Sequence, residues 1–474
     1  MSGEIIHRLD IWLEGTPAPI GKLTGDADTA LAFRYTAEGI AAGRQLSLAL
    51  PIGGAGHGGG FGAGTYGAGA YGRGAYGEGA FGDPAARAFF GNLLQENATL
   101  ERVMDEHRIA QDDIAGLLFH LGRDCPGAVS CVPEGEAPDK TPGVLATDYQ
   151  VLSNAELVAI MDALAREQRL PDAARNPSPL AGVQRKIALC RQPDGSMALP
   201  REGTGAPTTH ILKVPRRGEE ALVDHEHALM VMAGRVLQHP VAKTEIFELG
   251  NQRGLLVERF DRSVVDGTAT RVHQEDFAQA LGIPASLKYG RKPGDPFSAE
   301  AIGRLLDATA APAAARAGFR DLTLFNLMVG NTDNHAKNHA LIYDVAGALP
   351  RLAPLYDVVP VLLDQGVNHD LGFRIGAAVE AGALARTDYN AFLAAIGFRT
   401  GRSKTAERRQ SQIAAELIEA VAGEAAGLHG PRMKLLADMI VDQAGKLTEA
   451  LGVTVALPER DAFVPRGGGF LVGS

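Results

Sequence analysis

The amino-acid sequence predicts an α+β protein of two or three domains, on three observations. Short runs that alternate apolar and polar side chains dominate the first part of the chain, from "HRLDIWL" and "ALAFRYT" to "TEIFEL" and "GLLVERF". From Gln274 onward helical spacings take over. A polar stretch, "VGNTDNHAKNH" at residues 329–339, interrupts the helical part, and two short extended runs follow it. At 474 residues the chain has ample length for more than one core.

Taken in order, residues 5–50 read as a small strand-rich unit with turn residues between its pieces. From Phe61 to Phe81 an aromatic recurs every five residues (Phe61, Tyr66, Tyr71, Tyr76, Phe81), separated by Gly-x-Gly-x. Glycine at this density carries a large ordering entropy with little burial to offset it, and a period of five fits neither helix nor strand. No structure is assigned to this segment; it is read as an insertion over 53–82.

Residues 85–122 turn helical, with Phe89, Leu93 and Leu94 and then Ile114, Leu117, Leu118 and Leu121 at helical spacings. The Pro/Gly/acidic stretch "PEGEAPDKTPG" at 133–143 closes a first domain, 1–143. Ser153 and Glu156 form a capping box ahead of Leu157, Ile160, Met161 and Leu164, a helix start with a mechanism behind it. Strands are expected at "KIALC" and "THILKV", a helix from about Asp224, and a strand pair at "TEIFEL" and "GLLVERF". These make a second domain over 144–290, with a helical third over 291–474.

Composition narrows the function classes. Hydrophobic content of 45% and charged content of 22% are those of a folding chain. The balance of 46 basic against 56 acidic residues, net −10, argues against DNA binding through overall charge. Cys125, Cys131 and Cys190 include no CxxC pair, so they read as neither a disulfide framework nor a zinc site, and they fit a reducing cytoplasm. "MSGEIIHRLD" has no apolar signal core, and no run of about 18 apolar residues suggests a membrane span.

The polar stretch carries the chemistry. Asp333 and Asn338 are five residues apart, followed by "HALIYD", the turn-forming "VAGALP" and "RLAPLYD", which ends at Asp357. Phosphoryl transfer needs these parts in this order: an Asp for the attacking hydroxyl, then an Asn and a later Asp for magnesium on the ATP phosphates. Upstream, Lys213 lies inside the apolar "HILKV", an expensive place for a charge unless an anion meets it. Glu226, in the first turn of the next helix, is its candidate partner, and "LAGVQRK" at 180–186 supplies a turn at Gly182. No GxxxxGK[ST] is present, so this is not a P-loop protein.

Each part has a plainer reading. One glycine is usually a turn, and a strand lysine usually keeps its head in water. His335 and His339 also read as a metal pair on one helix face, although the glutamate of HExxH and a third ligand are missing.

Nearly the whole chain resembles the HipA family of serine/threonine kinases, toxins of bacterial toxin–antitoxin pairs. The resemblance rests on "FFGNLLQEN" and "LGRDCPGAV" for the N-terminal subdomain, "LAGVQRKIAL" for the phosphate loop and "VERFDR" for the hinge. "HQEDFAQALG...KYG" resembles the signature block, and "NTDNHAKNH" with "LYDVVP" the catalytic and magnesium segments.

The resemblance implies a kinase-like core of a mixed α/β N-lobe and a helical C-lobe, with a small β-rich N-terminal subdomain. It implies Asp333 as the catalytic residue, Asn338 and Asp357 as magnesium ligands, and Lys213 on the phosphates of ATP. Ala181, Gly182, Val183, Gln184, Arg185 and Lys186 would then lie along the triphosphate. Glu258, Arg259 and Phe260 would hold adenine through backbone groups, with His335 and Tyr356 bordering the nucleotide. Two departures stand out. Ser178 precedes Pro179 and Leu180, with proline where some members carry an autophosphorylated serine, and the Gly/aromatic insertion lies outside the family pattern.

The function implied is an ATP- and Mg2+-dependent protein kinase toxin. An aminoacyl-tRNA synthetase is one implied substrate, and a HipB-like helix-turn-helix antitoxin is the implied partner through which DNA is reached. A small-molecule phosphotransferase of the sugar or aminoglycoside kinase type is the alternative, and a non-catalytic bridging module a third. The N-terminal subdomain with "HQEDFAQALG" speaks against the former, and the presence of Lys213, Asp333, Asn338 and Asp357 against the latter.

Overall fold

Leu9, Ile11 and Leu13 alternate along the strand Ile5–Leu13, so their side chains share one face and bury there. That strand is the fourth of an antiparallel sheet ordered Ala80–Phe81, Leu31–Tyr35, Gly21–Asp26, Ile5–Leu13, Val129–Pro133. The register aligns Leu9 with Leu23, Leu23 with Phe33 and Phe33 with Phe81, an apolar row across four strands. The helices Asp83–Gly91 and Ile114–Leu121 cover this face with Phe89, Phe90, Leu117 and Leu118. Each such buried side chain contributes roughly 1.5–3 kcal/mol.

The computed structural model describes residues 4–52, 79–94, 98–167, 185–343, 349–400 and 403–463. It groups the chain into two units: Met1–Leu212 with Arg259–Lys288 and Ala340–Pro350, and Lys213–Glu258 with Tyr289–His339 and Arg351–Ser474. Most of the Gly/aromatic segment lies outside the described residues, as do Ala181, Gly182, Val183, Gln184 and Ser178 to Leu180. Phe81, the last of the five rings, is described and lies in a strand. It stacks on Phe33 with ring centroids 6.3 Å apart, so packing takes over where the glycine period ends.

In the first unit, Tyr149–Val151, Met197–Pro200 and Lys186–Arg191 form antiparallel neighbours. Ser153 and Glu156 cap the following helix reciprocally: Glu156 Oε2 accepts from the Ser153 amide at 2.7 Å, and Ser153 Oγ accepts from the Glu156 amide at 3.2 Å. The helical region expected over 85–122 consists of three helices, Asp83–Gly91, Ala98–His107 and Ile114–Leu121. A left-handed Arg108 (φ 54°) ends the second of them.

In the second unit, Thr244–Leu249 and Gln252–Glu258 pair as the expected hairpin. The helix expected from Asp224 begins three residues earlier, as Ala221–Val236. Helices Pro312–Met328, Lys404–Ala426 and Pro431–Leu451 pack around Phe319, Phe325, Met328, Ile418, Met439 and Ile440.

The runs flanking "VAGALP" are shorter strands than their pattern suggests. Ala340–Ile342 pairs with Gln274–Asp276, while Arg351–Leu352 is extended and residues 353–357 follow an irregular path. Residues 353–385 are mostly irregular rather than helical, because their Pro, Gly and Asp punctuation denies a helix the run it needs.

Candidate active site

Helix Pro312–Met328 delivers the polar loop. Gly330, at φ 69°, turns the chain beside Met439 and Leu362, where a Cβ would meet the Met439 sulfur at 2.6 Å. Asn331 then donates its side-chain amide to Asn326 Oδ1 at 3.0 Å, pinning the loop to the helix end. The stretch is no solvated surface: Asn331, Thr332, Asn334, His335 and His339 are all buried. Gly372 runs past it so closely that a Cβ would sit 2.2 Å from the Asn334 carbonyl oxygen.

Within this loop Asn338 donates Nδ2 to the backbone carbonyl of Asp333 at 2.6 Å, which leaves Oδ1 as the acceptor end of its amide. The Tyr356 hydroxyl donates to the Lys337 carbonyl at 3.1 Å, tying the residue before Asp357 to the residue before Asn338. Asp357 has φ 57°, a left-handed backbone that costs a non-glycine residue of order 1–3 kcal/mol.

Lys213 is the centre of charge. Its Nζ stands 2.6 Å from Glu226 Oε1 and 2.5 Å from Asp357 Oδ1. Burial by itself lowers the lysine's pKa, but Asp357 and Glu226 outweigh it and hold the ammonium well above its ordinary value. The lysine is charged because two carboxylates share it.

Sequence reasoning assigned no role to Tyr289, which donates its hydroxyl to Asp333 Oδ1 at 2.7 Å. Arg291 lies 4.1 Å over its ring and donates to the carbonyls of Asp370 and Leu371, while His335 meets the ring edge-on at 5.0 Å. The only signal was the tyrosine of "KYG", far from the loop in sequence.

The remaining expected residues have varied surroundings. Arg185 donates to the carbonyls of Leu164 and Ala165, satisfying the end of helix Asn154–Glu167, and Lys186 opens the strand Lys186–Arg191. Arg259 is buried in a two-bond pairing with Asp261, whose carboxyl Arg259 and Arg262 hold well below its usual range despite burial. The amides of Glu258 and Arg259 are taken by Lys243 O and Thr209 O, and Glu258 is exposed beside Lys243; Phe260 is half-buried.

His335 and His339 do not share a helix face. They flank a single 3-10 turn, Ala336–Asn338, and burial pushes His339 down to about 3 against Phe319. Among the described residues no group of three or more His, Cys, Asp or Glu side chains is placed to hold a metal ion, so the zinc reading gains nothing. Asn338 and Asp357 offer hard oxygens instead, the donor type magnesium takes.

A strand lysine gripped by a helix glutamate, with an Asp–Asn loop at hand, is the ground plan of a kinase. Comparison with known proteins makes that particular. Residues 9–132 match the family model of the HipA N-terminal domain, and residues 178–426 that of the HipA-like C-terminal domain. The serine/threonine-protein kinase toxin HipA of Shewanella oneidensis is 28% identical over 391 residues, 80% of this chain and 81% of that protein. Y4mE of Sinorhizobium fredii, provisionally named a kinase, is 33% identical over 66% of this chain and 73% of its own length. The HipA structure from the Shewanella oneidensis complex of HipA, HipB and operator DNA superposes with a TM-score of 0.70 at 24% identity, covering 94% of this chain and all of that one. The chain belongs to the HipA family and is a homologue of its serine/threonine kinase toxin.

Proposed function

We propose that this HipA-family kinase transfers the γ-phosphoryl group of ATP to a serine or threonine hydroxyl of a protein. The observation that carries the reading is Lys213 held between Glu226 and Asp357, beside the loop that bears Asp333 and Asn338. Asp333 orients the attacking hydroxyl and takes its proton. The hydroxyl oxygen bonds to the γ-phosphorus as the bond to the β–γ bridging oxygen breaks and ADP leaves. Lys213 meets the phosphates, and the Glu226 carboxylate keeps its ammonium in place. Asn338 and Asp357 hold magnesium, which when bound offsets the negative charge on the phosphates.

Residues 181–186 line the triphosphate, Glu258 to Phe260 hold adenine through backbone groups, and His335 and Tyr356 border the nucleotide. The match of residues 9–132 to the HipA N-terminal domain supports the protein-kinase toxin over a small-molecule phosphotransferase. A helix-turn-helix antitoxin of the HipB kind is the partner, in line with the HipB and operator DNA of the Shewanella complex. The net charge of −10 fits reaching DNA through that partner. An aminoacyl-tRNA synthetase is the substrate class that the family suggests.

The test is incubation of the protein with γ-labelled ATP, magnesium and a bacterial lysate, then mapping of the labelled protein. Asp333→Asn keeps the size and removes the proton acceptor, so turnover should fall about a hundredfold or more while ATP still binds. Undiminished labelling by the folded variant would sink the assignment.

A further inference from the structure

Four consecutive side chains on the helix Ala221–Val236 reach four different anchors. Asp224 Oδ2 accepts from Arg432 at 2.9 Å, and Asp224 Oδ1 also accepts from Arg253. The buried His225 meets the Arg432 backbone carbonyl through Nε2 at 2.6 Å. Glu226 takes Lys213, and His227 Nδ1 meets Thr244 Oγ1 at 2.9 Å. Successive helical residues point about 100° apart, so together these contacts fix both rotation and axial position of the helix.

Two of these five contacts come from one residue, Arg432. Arg432 is the second residue of helix Pro431–Leu451, whose start is turned by Gly430 at φ 100° in the short connection from helix Lys404–Ala426. Further along, Arg235 donates to Glu424 at 2.8 Å, so the same helical hairpin grips the other end of the Glu226 helix.

We propose that this C-terminal hairpin, through Arg432 and Asp224, sets the position of Glu226 and thereby of the Lys213 ammonium. Arg432 and Asp224 are positioning residues. They bond to each other and to Arg253 and His225 rather than to Lys213, and they act through the helix that carries Glu226. The inference rests on the kinase reading above. Asp224 loses its charge in Asp224→Asn and keeps its shape, so the helix loosens at the turn that presents Glu226. Small misplacement of a phosphate-binding group is costly, and KM for ATP should rise on the order of tenfold with a smaller change in kcat.

The discriminating experiment is a double-mutant cycle in the full-length protein, reading kcat and KM for ATP together with melting temperature. If Asp224 works through Glu226, adding Asp224→Asn to Glu226→Gln removes little beyond what Glu226→Gln already lost. Arg432→Ala should reproduce the Asp224→Asn rise in KM. Arg432→Lys should restore most of the affinity, since one ammonium can reach the Asp224 oxygen. Losses that multiply in the double variant, or an unchanged KM in folded Asp224→Asn and Arg432→Ala, would overturn the proposal. Arg432 is half exposed at 53%, so its variants decide the matter should Asp224→Asn fail to fold. Asp333→Asn separates the two levels: if it keeps full phosphotransfer the kinase reading fails, and if it is inactive while the cycle is additive only the positioning role fails.

Discussion

Glu275 makes stability depend on pH in a way that one substitution can isolate. It lies in strand Gln274–Asp276 with no solvent exposure; its Oε1 accepts from the Leu48 amide at 3.0 Å and from the Tyr343 hydroxyl. Among the described residues its Oε2 has no hydrogen-bond partner, while the neighbouring Ser47 side chain eases its ionisation. Burial raises its pKa from 4.5 to about 7, against the opposing pull of its donors. A carboxyl whose folded pKa is raised adds stability in its protonated form. That contribution is complete below about 4.5 and is lost as pH climbs through about 7. At 1.36 kcal/mol per pKa unit, the loss between pH 4.5 and pH 8 is about 3 kcal/mol. Glu275→Gln stays neutral throughout and keeps an oxygen for Leu48 and Tyr343. Urea unfolding of both proteins from pH 5 to pH 8.5 reads the difference directly. The variant should be somewhat less stable than the parent at the acid end and should gain on it by about 3 kcal/mol toward the alkaline end. Comparing the two cancels the neutral buried histidines, His273 and His339, whose lowered pKa values act in the opposite sense as pH falls. Parallel pH curves for the two proteins would refute the reasoning.

Two further perturbations test other links. Tyr289→Phe removes the donor to Asp333 and keeps both ring contacts; a hydrogen bond to a charged group is worth about 1.5–3 kcal/mol, so kcat should fall about tenfold or more. An unchanged melting temperature with that loss would place the effect on the chemistry, and an unchanged kcat would show that the tyrosine is dispensable. Phe81→Ala strips a half-buried ring from Phe33 and Tyr35 and should cost about 2 kcal/mol in chemical denaturation, below the 3–5 kcal/mol of a fully buried ring. No loss at all would mean that the ring only rests on the sheet.

Much of this was legible because it is local or periodic. The Ser153 cap, the hairpin of Thr244–Leu249 with Gln252–Glu258, and the apolar faces of the N-terminal strands follow from spacings of two to four residues. The pairing of Lys213 with Glu226 was readable because a charge inside an apolar strand demands an anion, and the next helix offered one. What stayed hidden depends on contacts distant in sequence. Tyr289 reaches Asp333 across 44 positions, and Gly372 is required by a backbone that passes Asn334. The side chain of Arg185 serves helix carbonyls and that of Arg259 serves Asp261, tasks that a phosphate-loop or hinge pattern does not reveal.

Three acidic residues that look alike in the sequence end in different electrostatic states, and their neighbours decide which. Asp261 is buried between Arg259 and Arg262, whose charges outweigh its desolvation and keep it ionised. Glu275 is equally buried among Tyr343, the Leu48 amide and the Ser47 hydroxyl, with no cation among these neighbours to offset desolvation, so its pKa rises to about 7. Glu226 is nearly as buried but faces Lys213, which it shares with the more exposed Asp357. Of the three, this shared arrangement alone leaves one carboxylate of its network open to solvent, so that Asp357 can exchange the lysine for a metal cation and Lys213 can exchange Asp357 for a phosphate. A buried ion pair that is closed on all sides, like that of Asp261, can only brace the fold. An ammonium held from one side by Glu226 and from the other by a strained, half-exposed aspartate keeps its place when the second partner turns to a ligand. Under the proposed function, chemistry therefore falls to Lys213 and Asp357, while Asp261 and Glu275 brace the fold.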